Sequence, residues 1–557
     1  MVIRVIKKKL LFISFGIALL HSGVCVSGEM PKGASVQSGD INISGADTDH
    51  MIIDQSTSKS IINWNSFSIH EKGRVDFNMP SNSSSSLNRV TGSTPSSIAG
   101  KLNSNGKVLL INPNGVVITK NGVVKTGSFT ASTLDINNKD FHQDKLKFSG
   151  NGNSKNVTNN GRIVVGKGGN AALLGGQISN TGIVSAKLGK IALGAGEKIT
   201  LDFVGDGLMS ISIPKNQLHL IKDINGKTLK SLISNTGTLK ANGGIIKLSA
   251  STARGLSRSS VNIGSSSIIV ARSVDDRTGK VVIGSPSTNN VKIAGRIDLS
   301  GNQSLSPSGT LTVRGRNVHH SGKIYANGKS GGKVSVITGK SLKLDGSIYA
   351  KGNKEQGGSV LFMSENSIKS TKKVIVDVSG QNKGGEIRSL AKMNNSTSGS
   401  YKANTSSGYG GNIDITANQV EISQATIEAK GKIMGGKVRI GGDYLGGKKL
   451  TNTDKNNVKG FVTRFGNQPS IQNAKQTIVK ADTNIDVSSE KGQGGTTVVW
   501  SDQMTDFGGK INAKGADIKA LIIDKGSGSI YKSSKDPPVG TIEYKSQLDE
   551  SIVDPPL

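Results

Sequence analysis

Gly-Gly pairs at 331–332, 357–358, 384–385, 410–411 and 435–436 recur at steps of 26, 27, 26 and 25 residues. A sustained period of this size, with no helical pattern inside it, restricts a chain to architectures that stack one short unit on the next. The units are near-copies: Gly322-Lys-Ile-Tyr-Ala-Asn-Gly328 returns as Gly346-Ser-Ile-Tyr-Ala-Lys-Gly352. Upstream, Asn160-Gly161, Asn180-Thr-Gly182 and Asn235-Thr-Gly237 repeat a second phrase. Short apolar runs lie between the turn residues: Val108–Ile111, Val116–Thr119, Ile163–Val165 and Ile191–Leu193. That is the grammar of strands and turns. One period holds three strands with their corners, which is one coil, and coils stack at about 4.8 Å. The expectation is an all-β chain, a parallel β-solenoid of about 22 coils and on the order of 100 Å long. Unrelated β-sandwiches would not sustain the period.

The ends of the chain depart from the repeat. Arg4 and Lys7 to Lys9 precede the apolar run Leu10 to Leu20, and small residues follow up to Gly28. This reads as a secretory signal peptide, residues 1–28, whose apolar run is too short for a stable membrane span. The sole cysteine, Cys25, leaves with it, so the mature chain must be held together without disulfides. Residues 29 to about 135 are less periodic, and Val75-Asp-Phe77-Asn-Met79 alternates as a half-buried strand. They are expected to form an N-terminal β cap, because an open first coil would present bare strand edges. Residues 535–557, with Pro537-Pro538 and Pro555-Pro556, read as a flexible tail.

The formal charge is +31, and 4% of residues are aromatic. The bases are scattered along the whole length, as solvated faces usually are. Their summed field favours anionic partners, such as sulfated glycans, lipopolysaccharide or anionic membrane surfaces. Nucleic acid is not an expected partner, since the chain is exported and has few aromatics for base stacking. Catalysis is not expected either. Asp275-Asp276 and Asn452-Thr-Asp454 echo polygalacturonase motifs in reversed order and lack a following Gly-His-Gly. His319 and His320 are adjacent on a strand and so point to opposite faces, which prevents them from sharing one metal. The Gly-Lys-Ser and Gly-Lys-Thr triplets lack the upstream glycine of a phosphate loop. No cofactor or metal site is expected.

From Met51 to Ile136 the residues resemble the secretion domain of the two-partner secretion family, the filamentous haemagglutinin and high-molecular-weight adhesin group. The resemblance is carried by Ile61-Ile-Asn-Trp-Asn-Ser-Phe-Ser-Ile69, Leu87-Asn-Arg-Val-Thr-Gly92, Ser104-Asn-Gly-Lys-Val-Leu-Leu-Ile-Asn-Pro-Asn-Gly-Val116 and Gly127-Ser-Phe-Thr-Ala-Ser-Thr-Leu-Asp135. Downstream, Gly435-Gly-Lys-Val-Arg-Ile-Gly-Gly-Asp-Tyr444 and Gly494-Gly-Thr-Thr-Val-Val-Trp-Ser-Asp502 resemble phrases of the β-helical rods of these exoproteins. The resemblance implies a right-handed parallel β-helix, with a secretion domain over 29–270 and a repeat rod over 271–534. It implies export through an Omp85-type outer-membrane transporter to the outside of a Gram-negative cell. The signature residues would be Trp64, Asn88, Arg89, Phe129 and Thr130, and the secretion motif Asn112, Pro113, Asn114 and Gly115.

Read by its own chemistry, Asn112-Pro-Asn-Gly115 favours a type I β-turn, expected to join Val108–Ile111 to Val116–Thr119 as a hairpin. A purely structural role and a role in export both remain open for it. The second Asn-Pro motif of haemagglutinin-type members is absent, and Asn78-Met-Pro80-Ser81 stands nearby. An adhesin binding host or neighbouring-cell ligands is the leading functional expectation. A β-helix carbohydrate-active enzyme, and a cytolysin or haem-acquisition exoprotein of the same export class, are the alternatives.

Overall fold

The computed structural model describes residues 29–515 apart from 153, 204–207, 213–230, 252–258, 275, 286–287, 303 and 448–469, together with short strands at 521–524, 530–531 and 542–545. The signal peptide and the body of the tail lie outside the described residues, as do Asp275 and Asp454.

Almost every strand joins one 44-stranded sheet wound into a parallel β-helix with three faces. In chain order each coil visits face I, then face II, then face III. Face I begins with Lys59–Trp64, Ser85–Val90, Lys107–Ile111 and Ser128–Ser132. Face II begins with Ser96–Ile98, Val116–Ile118 and Asn156–Asn159, and face III with His50–Gln55, Arg74–Asn78, Lys101–Ser104 and Val123–Thr126. Each strand pairs in parallel with its equivalent one coil before and one coil after.

Among the described residues face I has fifteen strands in unbroken register, from Lys59–Trp64 to Thr496–Val499. Fourteen steps of about 4.8 Å give a rod of roughly 70 Å. The expectation of about 22 coils and 100 Å is therefore corrected downward. Among the described residues, 133–152, 154–155, 196–203, 208–212, 441–447 and 470–475 lie between face I and face II and add no rung to the helix. A repeat count made from length alone charges those residues to the rod.

The interior is a continuous column of Ile, Val, Leu and Ala, with Phe77, Phe129 and Phe362 among its largest members. Alternation fixes which residues enter it: Arg74–Asn78 buries Val75 and Phe77 and leaves Arg74 and Asn78 exposed. The Gly-Gly pairs sit where face III returns to face I and stack one above another. The amide of Ser359 donates to Gly332 O, that of Glu386 to Gly358 O, and that of Asn412 to Gly385 O. A β-carbon on Gly358 would collide with the Gly332 carbonyl, so the coil spacing itself requires glycine there.

The first coil is covered, but by residues 35–44 alone: the strands from His50 to Ser132, expected to belong to the cap, are rungs of the helix itself. Ser35–Ser38 pairs antiparallel with Lys59–Trp64, and Ile41–Ser44 pairs antiparallel with His50–Gln55. These two short strands occupy edges that would otherwise template further pairing.

The outer side of face I carries a second core. Asp135–Ile136, Leu146–Ser149, Lys198–Asp202 and Leu208–Ser212 form a four-stranded antiparallel sheet. With the helix Asn138–His142 it packs Phe141, Phe148, Ile199, Leu201 and Met209 onto Ile61, Leu87, Leu109, Ile111, Ala172 and Leu174. Face I strands here are buried on both sides, which is why Val108–Ile111 reads as an unbroken apolar run.

Candidate functional site

The residues singled out from the sequence fall within the first four coils, in four distinct environments. Trp64 and Asn88 belong to a buried polar cluster beneath the cap. Trp64 Nε1 donates to Asn88 Oδ1 at 3.0 Å, and its ring meets Phe67 edge-on at a centroid distance of 5.3 Å. Asn88 Nδ2 donates to Ser86 Oγ at 3.1 Å. Ser60 Oγ lies 3.0 Å from Ser86 Oγ and donates to Gln55 Oε1 at 2.7 Å. Ser60, Ser86 and Asn88 are wholly buried, so these bonds replace every one that water would have made. Gln55, Ser60 and Ser86 carry no signal in the sequence, because serine and glutamine are common at exposed positions.

Arg89 points the other way, out of the helix, because adjacent strand residues alternate. Its Nε binds Asp135 Oδ1 at 2.9 Å, and its second nitrogen reaches Ile136 O at 2.8 Å and Asn138 Oδ1 at 3.1 Å. It ties the start of the first excursion to face I. Phe129 is a core residue stacked between Val108 and Ala171. Thr130 faces outward and is nearly covered by the second core.

Asn112–Gly115 forms a β-turn, with Gly115 N donating to Asn112 O at 3.0 Å and Gly115 at φ 123°. The expected hairpin is not formed. Lys107–Ile111 lies on face I and pairs with Ser85–Val90 and Ser128–Ser132, whereas Val116–Ile118 lies on face II and pairs with Ser96–Ile98 and Asn156–Asn159. The turn bends the chain round a corner of the helix. Turn chemistry specifies the local bend and leaves the partner of the following strand undetermined. Asn112 is fully buried and donates to Thr94 O at 2.9 Å and Ser96 Oγ at 3.0 Å, while its Oδ1 accepts the Asn114 amide at 2.9 Å. Asn114 Nδ2 donates to Gly92 O at 2.8 Å. Both side chains thus fasten this corner to the coil before it.

Charged groups at this end are concentrated at Asp76 on face III. Burial alone would raise its carboxyl pKa, but hydrogen bonds from Arg74, Asn103 and His50 hold it below the usual carboxylate range. Among the described residues no group of three His, Cys, Asp or Glu is placed to hold a metal ion, and no helix is long and apolar enough to cross a membrane.

Residues 28–266 match the family model described as the TPS secretion domain. The chain carries the secretion domain of the two-partner secretion family. It is similar to a heme/hemopexin-binding protein of Haemophilus influenzae strain Rd, 29% identical over 361 residues, which is 61% of this chain and 36% of that protein. A second heme/hemopexin-binding protein of Haemophilus influenzae is 26% identical over 345 residues, 58% of this chain and 35% of its own length. The exoprotein therefore spans about a third of the length of these curated relatives. Among solved structures, the HMW1 secretion domain from Haemophilus influenzae aligns at 24% identity and a TM-score of 0.34, covering 93% of this chain and 99% of that one. A filamentous hemagglutinin secretion domain aligns at 15% identity and a TM-score of 0.28, covering 62% and 96%. Likenesses this low add nothing to the fold, which stands on the strand pairings. Exoproteins of this family are secreted across the outer membrane, and the secretion domain implies a transporter partner there.

Proposed function

We propose that the capped first coils address this exoprotein to an Omp85-type outer-membrane transporter, and that the rod then binds ligands on host or neighbouring cells. The observation that carries this reading is the match of residues 28–266 to the secretion-domain family. Three coils fastened by Asn112, Asn114 and the Trp64–Asn88 cluster support it, because they make this end a defined surface. The rest of the rod is a scaffold whose outward positions are free to vary.

The test is export from a Gram-negative host that supplies the partner barrel, followed by attachment of the secreted protein to cells. Without the barrel the exoprotein should stay in the periplasm; release at the same level would sink the reading. Asn114→Ala separates the two roles of the turn. If the purified variant melts like the parent yet export collapses, the turn is part of the address. Loss of both in proportion makes it a fold determinant.

A second reading, capture of haem or of a haem carrier, is favoured by the similarity to two heme/hemopexin-binding proteins. Haem absorbance titration and hemopexin co-sedimentation with the secreted chain distinguish it from adhesion. A carbohydrate-cleaving role finds no support at the four described carboxylates whose pKa is clearly displaced. A glycosidase acid needs a raised pKa. Asp76, Asp298, Asp345 and Glu428 are all held low by neighbouring donors and cations that outweigh their burial.

A further inference from the structure

The lysines look scattered in the sequence, but stacking sorts them. The middle outward position of face II can be followed coil by coil through register partners: Thr158, Ser179, Ser234, Asn262, Lys292, His319, Lys343, Lys369, Ser396 and Glu421. Four consecutive rungs carry Lys or His, with uncharged residues before them and serine then glutamate after. At about 4.8 Å per coil the four span roughly 15 Å along the rod. Lys292, Lys343 and Lys369 are exposed, and so are Arg316 and Lys340 on the shoulder toward face I. His319 and Lys343 share Asp345, at 2.6 and 3.1 Å. No salt bridge joins Lys292, Lys369, Arg316 or Lys340 to a carboxylate among the described residues.

The surroundings narrow the partner. The row beside the lysines is polar and internally bonded: Asn317 Nδ2 donates to Asn290 Oδ1 at 2.8 Å, and Ser341 Oγ donates to Asn317 Oδ1 at 2.7 Å. It offers no apolar side chain to insert into a bilayer, which membrane-surface binding needs beyond charge. It offers no Phe, Tyr or Trp ring for a nucleobase to stack on. The cationic strip is one residue wide and follows the rod axis. A linear polymer with repeating anionic groups is its geometric complement.

We propose that Lys292, Lys343 and Lys369, with Arg316 and Lys340 beside them, form a binding strip for a linear anionic polysaccharide, sulfated or carboxylated, laid along the rod. The proposal rests on the reading that the rod engages ligands outside the cell, and it specifies the face and the chemistry. The hydroxyls and amides of the neighbouring row would meet sugar hydroxyls, while the lysine stems adapt to the polymer's charge spacing.

The test uses the full secreted chain and size-defined heparin oligosaccharides over a range of salt. K292Q/K343Q/K369Q should weaken binding at least roughly tenfold and flatten its salt dependence, since three cationic contacts no longer release counterions. K475Q/K480Q/K491Q, which removes three exposed lysines elsewhere, should match the parent. If both triples weaken binding equally, net charge is responsible and the strip is refuted, while the surface-binding reading survives. If the parent binds no heparin yet still attaches to cells, the polysaccharide assignment falls and the broader reading again survives. Equal, strip-dependent binding to phosphatidylglycerol vesicles or single-stranded DNA would refute the polysaccharide assignment as well.

Discussion

Two buried residues show how much individual side chains matter in a stacked fold. Asn159, Asn180 and Asn235 form a ladder inside the corner between faces II and III. Asn159 Nδ2 donates to Asn180 Oδ1 at 2.7 Å, and Asn180 Nδ2 donates to Asn235 Oδ1 at 2.6 Å. All three are fully buried. Asn180→Ala breaks both bonds and leaves polar atoms stranded above and below. A loss of about 2–4 kcal/mol is expected by denaturant unfolding, and Asn180→Asp should not rescue it. His320 is also fully buried, and neither ring nitrogen reaches a partner in hydrogen-bond geometry. Desolvation pushes its pKa down to about 4 from an ordinary 6.5. The folded state therefore holds the neutral ring while the unfolded chain takes up a proton below pH 6.5. Stability should be complete above that pH, decline by up to about 3 kcal/mol as pH falls toward 4, and level off below. The denaturant midpoint of the parent should fall relative to that of His320→Leu as the pH drops through that range. A constant gap would show that His320 does not set the acid sensitivity. The repeated Asn-x-Gly phrase was visible in the sequence, but its purpose was only half legible. The glycines announced corners, whereas the inward ladder depends on register that no single phrase encodes. That His319 and His320 point to opposite faces followed directly from alternation, whereas which of them is buried became clear only from the register of the coils.

At the scale of elements, strands were legible because turn residues bound them, and the second core was not. Phe141 and Phe148 sit in stretches with no repeat and little apolar content. What identifies them is the outer apolar row of face I, a surface defined only once coils are stacked. Phe148→Ala should cost about 3–5 kcal/mol and loosen the antiparallel sheet, exposing Leu109 and Leu174 to a dye such as ANS. Arg89→Ala should loosen the same sheet more mildly, by releasing Asp135, Ile136 O and Asn138. Hydrogen exchange of residues 135–149 reports on both variants. The turn at 112–115 illustrates the opposite limit. Its bend was readable from four residues, but a bend at the corner of a coil and a bend in a hairpin begin with the same chemistry.

For the whole molecule, each coil contacts little beyond its two neighbours, so stability accumulates along a line and protection of edges governs solubility. A fragment covering residues 29–300 retains the cap and the second core. It bares strand edges at its C-terminal end alone, so it is expected to melt cooperatively and to aggregate less than the complementary fragment. A fragment of residues 301–515 begins with bare strand edges and should aggregate unless a cap is fused ahead of it. Size-exclusion chromatography and circular dichroism on the two fragments decide this. The period in the sequence conveyed the architecture correctly and overstated the length, since residues that leave the helix are indistinguishable from rungs by counting.

Those departures share one address. The described parts of 133–155, 196–230 and 441–475 all lie where face I hands over to face II, while the asparagine corner stays lean. The described residues thus show a seam along which material is spliced without disturbing the ladders. Foreign epitopes placed at that seam would emerge in file down one side of the rod, whereas the same insert at the asparagine corner would wedge neighbouring rungs apart.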